Sequence, residues 1–450
     1  MVVEGWLARA ASSRPEHTAL QTPRGSSSYA ELYAGARAGA AELAGLGVGT
    51  GDRVAIALPA GLAFAQALHA CLLLGAVAVP VDLRLAPTER AQVVDGAAVL
   101  LEEPLGEGLP PPGGAPTVHG HDLDATAVVI HTSGTTAAPR TVELTYGNLL
   151  WSALGSSVAL GLDPRERWLC ALPVSHVGGL SILVRSVICA TTAVVHERFE
   201  VDRALHALRT QEVTLVSLVA TTLARLLDAG LRAPPALRCA LTGGGPVPSA
   251  LLQRARAAGV PVSLTYGLTE ACSQVTTMPV AAIDGDDVSA GPPLFCTRVG
   301  IAGAPPAEPG VGEILIQGPT VAPGALAPDG WLHSGDLGSL DDRGRLQVSG
   351  RKADTIVSGG ENVAPAEVEA VLEAHPDVLE AAVLGRLDPE WGEAVTAIVV
   401  ARPGTVLQEQ TLREHCARAL APYKVPKRMV LTAEALPRTP SGKLLRRELR

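Results

Sequence analysis

Between Arg53 and Asp82 the chain runs for 28 residues without an Asp, Glu, Lys or Arg, and His69 is the one titratable base in the run. A segment of that length can cross a bilayer as one helix. Pro59 and Gly61 interrupt it early, however, and Gly75 and Pro80 interrupt it late. The run therefore divides into a strand over Val54–Leu58, a helix over Leu62–Leu74 and a strand over Ala76–Val81. A βαβ unit buried on both faces produces this near-continuous apolarity, so a buried core is expected rather than a membrane span.

The same alternation continues. After a loop around Leu109–Gly114, strands at Ala127–His131 and Val213–Leu218 alternate with helices at Asp202–Thr210 and Ser249–Ala258. That pattern predicts an α/β body with largely parallel sheets. Residues 300–350 change character: short strands (Glu313–Gln317, Leu346–Ser349) between Gly, Pro and Asp turns predict a small β-rich subdomain. From Arg351 onward a helix at Pro365–Glu373, strands at Ala381–Leu384 and Ala397–Ala401, and a helix at Thr411–Leu420 predict a separate α+β unit. At 450 residues the chain is too long for one core, and two units, 1–350 and 351–450, are expected. With only 5 Trp, 5 Tyr and 3 Phe, aliphatic side chains must fill those cores. A net charge of −9 argues against a protein that coats nucleic acid. Seven cysteines with no Cys-x-x-Cys pair suggest neither a disulfide framework nor a zinc site, and a reducing cytoplasm is the simplest setting. The N-terminal residues show no signal-peptide pattern.

Chemistry concentrates first at Thr132-Ser133-Gly134-Thr135-Thr136-Ala137-Ala138-Pro139-Arg140-Thr141, directly after a predicted strand. Hydroxyls, backbone N–H groups and one guanidinium can together surround phosphate oxygens. A polar turn of this kind is by itself weak evidence. No G-x-x-x-x-G-K-[ST] loop and no G-x-S-x-G elbow occurs, which turns the reading away from Walker-type nucleotidases and serine hydrolases. Five further blocks follow in order: Thr242-Gly243-Gly244-Gly245-Pro246, Thr265-Tyr266-Gly267-Leu268-Thr269-Glu270, Gly330 to Asp336, Gly350-Arg351-Lys352-Ala353-Asp354, and Pro437 to Lys443.

With the hydroxyl loop, and at these separations, the blocks resemble the adenylate-forming superfamily of acyl-CoA synthetases, adenylation domains and luciferases. The resemblance spans nearly the whole chain. It implies ATP-dependent activation of a carboxylic acid to an acyl-adenylate, then transfer of the acyl group to a thiol. It further implies that Thr132, Ser133, Gly134, Thr135, Thr136 and Arg140 hold the β- and γ-phosphates. Tyr266 would lie against the adenine, with Gly243, Gly244 and Gly245 letting the backbone approach that ring and Thr265 and Gly267 beside it. Thr269 would meet the α-phosphate, Glu270 would hold Mg²⁺, and Asp336 would accept from the ribose hydroxyls with Arg351 beside it. Lys443 is the expected catalytic cation, although on composition alone it is one more charge in a basic tail.

Two departures from the family pattern stand out. The phosphate loop usually reads Gly-x-Pro-Lys, where this chain has Ala137-Ala138-Pro139-Arg140. Arginine keeps the charge, whereas losing the glycine stiffens the loop. The hinge position, often Asp or Lys, is Ala353. Other segments look most like the 2-succinylbenzoate–CoA ligases of menaquinone biosynthesis: Leu144 to Asn148, Leu172 to Ser181 with Arg185, Glu270 to Val275, and Ser358 to Val363. That acid has a second carboxylate that stays ionised and needs a cation once desolvated. By resemblance His176 lies beside the acyl group and takes part in catalysis, and Arg185 is the candidate for the second carboxylate. Ser181, Thr265 and Val219–Thr222 could line the pocket. Gly359, Gly360 and Glu361 are expected along the tunnel for coenzyme A, the expected acceptor. Other aryl or medium-chain acids remain open as substrates. No nucleic acid or membrane partner is expected, and a homodimer is a family-level possibility.

Overall fold

The computed structural model describes residues 1–106, 118, 120–132, 140–282, 288–303, 310–358, 361–389, 391–439 and 444–449. The uncharged run forms a strand at Arg53–Ile56, a helix at Leu62–Leu74 and a strand at Val77–Pro80, the two strands pairing in parallel. Phe64, Ala65 and every residue from Ala67 to Leu74 are buried, so this helix meets protein on all sides. Gly75 ends it in the left-handed conformation at φ 74°, the usual helix stop. The sequence-derived boundaries shift by one or two residues because Pro59 and Gly61 end the first strand's ladder before Leu58. No helix among the described residues is long and apolar enough to cross a membrane.

Two largely parallel sheets build the body. One runs Val99–Leu101, Arg53–Ile56, Val77–Pro80, Thr126–Thr132, Arg140–Thr145, parallel except for its last pair. The other has eight strands, with a parallel centre from Val262–Leu268 across to Thr18–Thr22 and an antiparallel strand on each edge. One aliphatic core, including Leu32, Leu43, Leu68, Ile130 and Leu144, joins these layers. The strands Arg298–Ala302, Gly312–Gln317, Leu332–Leu340 and Leu346–Arg351 form a four-stranded antiparallel sheet, as the change in turn density predicts. The C-terminal unit packs the helices Pro365–Glu373 and Glu409–Ala419 around long antiparallel strands, Val378–Asp388 and Gly392–Ala401. Those strands extend beyond Ala381–Leu384 and Ala397–Ala401 because their pairing continues through residues 385–388 against 392–395, and past a register shift between Val378 and Glu380.

The Leu144–Asn148 segment is a junction. Thr145 caps the helix Tyr146–Leu160 by accepting from Asn148 N at 3.1 Å, while Asn148 Oδ1 accepts from Thr145 N at 2.9 Å. The Asn148 amide then donates to the carbonyls of Pro319 and Val321 at 2.8 and 3.0 Å. One capping box thus fastens the hairpin of Thr126–Thr132 and Arg140–Thr145 to the chain just after the strand Gly312–Gln317.

Candidate active site

Thr132 and Arg140 face each other as the last paired residues of an antiparallel hairpin, and Thr132 Oγ1 donates to Arg140 O at 3.3 Å. The loop they close, with Ser133, Gly134, Thr135 and Thr136, lies outside the described residues, as do Gly359, Gly360 and Lys443. Arg140 is exposed at the hairpin mouth. The glycine run after the strand Cys239–Thr242 has a steric cause. A Cβ on Gly243 would stand 2.6 Å from Thr265 O, and Gly244 adopts φ 79°, so this loop lies flush against the strand Val262–Leu268 only because side chains are missing.

That strand carries the next block. Its register shifts between Tyr266 and Gly267, and a Cβ on Gly267 would stand 1.7 Å from the Ser273 carbonyl oxygen. A single 3₁₀ turn, Thr269–Ala271, follows, then Cys272 and Ser273 at φ 52° and 90°. Ala322 N donates to Glu270 O at 2.8 Å, and Ser152 Oγ donates to Cys272 O at 2.7 Å. Thr269 and Glu270 are therefore presented, half-exposed, on a backbone held from two sides. Thr265 has other work: its hydroxyl bonds to Thr276 O at 2.8 Å and lies 2.9 Å from Thr277 Oγ1, which ties it into the sheet.

Tyr266 and Asp336 meet across 70 residues of sequence. Tyr266 Oη donates to Asp336 Oδ2 at 2.8 Å, and Arg351 Nε lies 3.1 Å from Asp336 Oδ1. Asp336 is buried at 7% exposure, and burial with the neighbouring carboxylate pushes the Tyr266 phenol upward, so it stays a donor. Gly335, at φ 71°, turns the backbone here and donates its N–H to Glu313 Oε1 at 3.1 Å. Lys352 Nζ reaches Glu313 Oε2, also at 3.1 Å. Glu313, which sequence reasoning passed over, braces the block ending at Asp336 and the block around Arg351 together.

On the acyl side, His176 is the N-cap of the helix Val177–Cys189. Its Nε2 lies 3.9 Å from Asp82 Oδ2, and Arg84 grips Asp82 through Nε at 2.8 Å and Nη2 at 2.5 Å. Burial holds His176 below its ordinary pKa, with Asp82 opposing and Arg84 reinforcing that shift. A Cβ on Gly179 would stand 2.4 Å from Pro173 O, so the glycine lets the helix start against its own approach loop. Ser181 is buried, and its hydroxyl donates to Gly178 O at 3.2 Å. Arg185, one turn further on the same face, is 4% exposed. Its guanidinium stacks on Trp168 at 4.8 Å, and Nε and Nη2 have no hydrogen-bond partner among the described residues. Burial lowers its pKa to about 10, which leaves it charged at neutral pH. Arg185 is therefore an interior cation and not a surface charge. Glu361 starts a short strand paired with Ile356–Ser358 and is exposed.

Residues 7–103 and 90–326 match the family model described as AMP-binding enzyme, and residues 367–443 match the AMP-binding enzyme C-terminal domain. The chain belongs to the AMP-binding enzyme family. Among curated members, the 2-succinylbenzoate–CoA ligase of Bacillus subtilis is 40% identical over 99% of this chain and 97% of its own length. The enzyme of the same name from Geobacillus kaustophilus is 39% identical over the same shares. Among solved AMP-binding structures, o-succinylbenzoate CoA synthetase from Bacillus subtilis with its acyl-adenylate intermediate superposes with a TM-score of 0.91 at 37% identity, covering 100% of this chain and 98% of that one. A double mutant of that enzyme bound to a product analogue gives 0.73 at 38% identity, over 100% and 99%.

Proposed function

We propose that this chain is an AMP-forming 2-succinylbenzoate–CoA ligase, converting the acid, ATP and CoA to 2-succinylbenzoyl-CoA, AMP and diphosphate. The observation that carries the reading is the full-length agreement with ligases of this one acid. Arg185 gives it a physical reason. A buried guanidinium without a carboxylate partner among the described residues is costly to keep, and an ionised aromatic carboxylate from the substrate would satisfy it. It sits nine residues beyond His176, about 13 Å along the helix axis at 1.5 Å per residue.

In the first half-reaction a succinyl carboxylate oxygen bonds to the α-phosphorus as the bond from that phosphorus to the diphosphate oxygen breaks. Charge gathers on the α-phosphate oxygens, and Lys443 and Thr269 are the groups assigned to it. Asp336, held by Tyr266 and Arg351, accepts from the ribose hydroxyls. Arg140 and the hydroxyl loop take the terminal phosphates. In the second half-reaction the CoA sulfur bonds to the acyl carbon and AMP leaves; Gly359, Gly360 and Glu361 are assigned to the thiol's approach. Magnesium is supported by the presentation of Glu270. A single carboxylate suits an ion that fills the rest of its coordination with substrate phosphates and waters. When bound, it neutralises phosphate charge. All seven cysteines are free, which fits the cytoplasmic setting included in this proposal, and sedimentation would test the accompanying homodimer.

The deciding experiment measures AMP release with ATP, Mg²⁺ and CoA over 2-succinylbenzoate, benzoate, 4-phenylbutyrate and octanoate, with mass detection of each thioester. Strong preference for the first is expected. AMP release with a different acid keeps the chemistry and overturns the substrate.

A further inference from the structure

Two sets of contacts bracket the segment that carries Lys443. Upstream, Arg438 Nη2 donates to Glu380 Oε2 at 2.6 Å, and Leu436 N donates to Glu380 Oε1 at 2.9 Å. Arg438 also pairs with Leu444 in an antiparallel bridge, and Leu445 N donates to Pro437 O at 2.8 Å. Downstream, Arg446 Nη2 reaches both carboxylate oxygens of Glu369 at 2.6 Å each. Arg446 Nη1 lies 3.4 Å from Asp354 Oδ2. Glu369 is buried at 9% exposure, and its Oε1 also accepts from Val383 N at 2.8 Å.

The charge pairing changes partners at one residue of the connector. Arg351 and Lys352 pair with Asp336 and Glu313 of the antiparallel sheet. Asp354, on the far side of Ala353, pairs with Arg446 of the tail instead. Rotation at 353 would leave the first two pairs with the sheet and carry the third with the C-terminal unit.

We propose that Arg446, gripped by Glu369 and Asp354, is a positioning residue for adenylation: it fixes the chain just after Lys443 to the helix Pro365–Glu373 and to the residue just past the hinge position Ala353. This inference rests on the reading of Lys443 as the adenylation cation. A planar guanidinium whose Nη2 meets Glu369 while its Nη1 reaches Asp354 is fixed in direction as well as distance, which a lysine at that position would do less well. The anchored residue lies three positions from Lys443 in the sequence, close enough to restrict that lysine without itself touching substrate.

The test separates the half-reactions: diphosphate–ATP exchange for adenylation, and thioester formation from supplied 2-succinylbenzoyl-AMP and CoA. Arg446→Gln should lower the exchange kcat about 100-fold, the loss that follows a displacement of about 1 Å. Its KM values for ATP and acid, and its thioester formation, should stay within about threefold. Arg446→Lys should recover part of the exchange rate. Because removing one partner leaves a buried charge, the Glu369→Gln/Arg446→Gln double variant is measured too. It should show the same selective loss with no drop in melting temperature beyond that of Arg446→Gln. Equal losses in both half-reactions, or no loss in exchange, overturn the positioning role. Lys443→Ala is the reference. If it fails to separate the half-reactions, the reading of Lys443 falls; if it separates them and Arg446→Gln does not, only the positioning inference falls.

Discussion

Arg185 is held at a cost: a guanidinium stripped of water, stacked on Trp168 and charged despite a lowered pKa. Arg185→Met keeps the volume and the stacking surface while removing the charge. It should raise the KM for 2-succinylbenzoate by about 30-fold, as losing a charge-assisted hydrogen bond of about 2 kcal/mol implies. The KM for 4-phenylbutyrate should change little. Equal changes on both acids would remove Arg185 from substrate recognition. Tyr266→Phe addresses the other half of the site. Asp336 Oδ2 loses the donor now at 2.8 Å, so the KM for ATP should rise about tenfold, equivalent to about 1.4 kcal/mol, with the KM for CoA unchanged. An unchanged KM for ATP would mean that Arg351 alone holds Asp336. Both residues stood out in the sequence, and so did Asp336, but neither pairing did. Trp168 lies 17 positions before Arg185 and Asp336 lies 70 after Tyr266, and contacts of that kind are set by sheet order, which a motif does not encode.

At the scale of elements, the glycines separate into those demanded by packing and those that are not. Gly267 sits at a register shift where a Cβ would stand 1.7 Å from a backbone carbonyl oxygen, while Gly245 has nothing within 4 Å of the same atom. Gly267→Ala must displace the strand or the Thr269–Ala271 turn, at the upper end of overpacking penalties, about 3 kcal/mol. Melting temperature and AMP formation should therefore fall together, whereas Gly245→Ala should leave the melting temperature within a degree or two. Tolerance of both would show that the turn carrying Glu270 is not held as tightly as its contacts imply. Element identity was largely legible here, because apolar periodicity and turn residues act locally: the helix Pro365–Glu373 matches its expected bounds. Glu313 and Glu369 escaped notice for the opposite reason. Each is an ordinary acidic residue on a strand or helix, and it becomes a brace only when a distant Lys352 or Arg446 is folded against it.

Across the whole molecule, the body and the C-terminal unit bury titratable groups of opposite kind. His69 and His121 are held neutral in the body, with pKa values pushed down to about 4 by burial. His121 Nε2 accepts from Trp6 N at 3.3 Å and its ring stacks on Tyr146, an arrangement that a second proton would break. The unfolded chain takes up protons on these rings near pH 6.5. Their contribution is therefore complete above that value and is lost as pH falls toward about 4, by a few kcal/mol in all. Glu373 has the reverse sign. Burial raises its carboxyl to about 7, so the C-terminal unit is most secure below the unfolded value near 4.5 and loses stability as pH rises through 7. His69→Leu should flatten the acid limb of the body's denaturation curve between pH 4 and 6.5, the interval its shift defines. Glu373→Gln should stabilise the C-terminal unit at pH 7.5 and have little effect at pH 4.5, below the raised carboxyl value. Denaturant titrations with intrinsic fluorescence would separate the two, since Trp391 alone reports from residues 351–450 while Trp6, Trp151, Trp168 and Trp331 report from the body. A common pH dependence for both transitions would show that the units unfold as one and that the buried groups act on a single equilibrium. Opposed slopes would mean that acid loosens the nucleotide-binding body first, with the unit that carries Lys443 still folded.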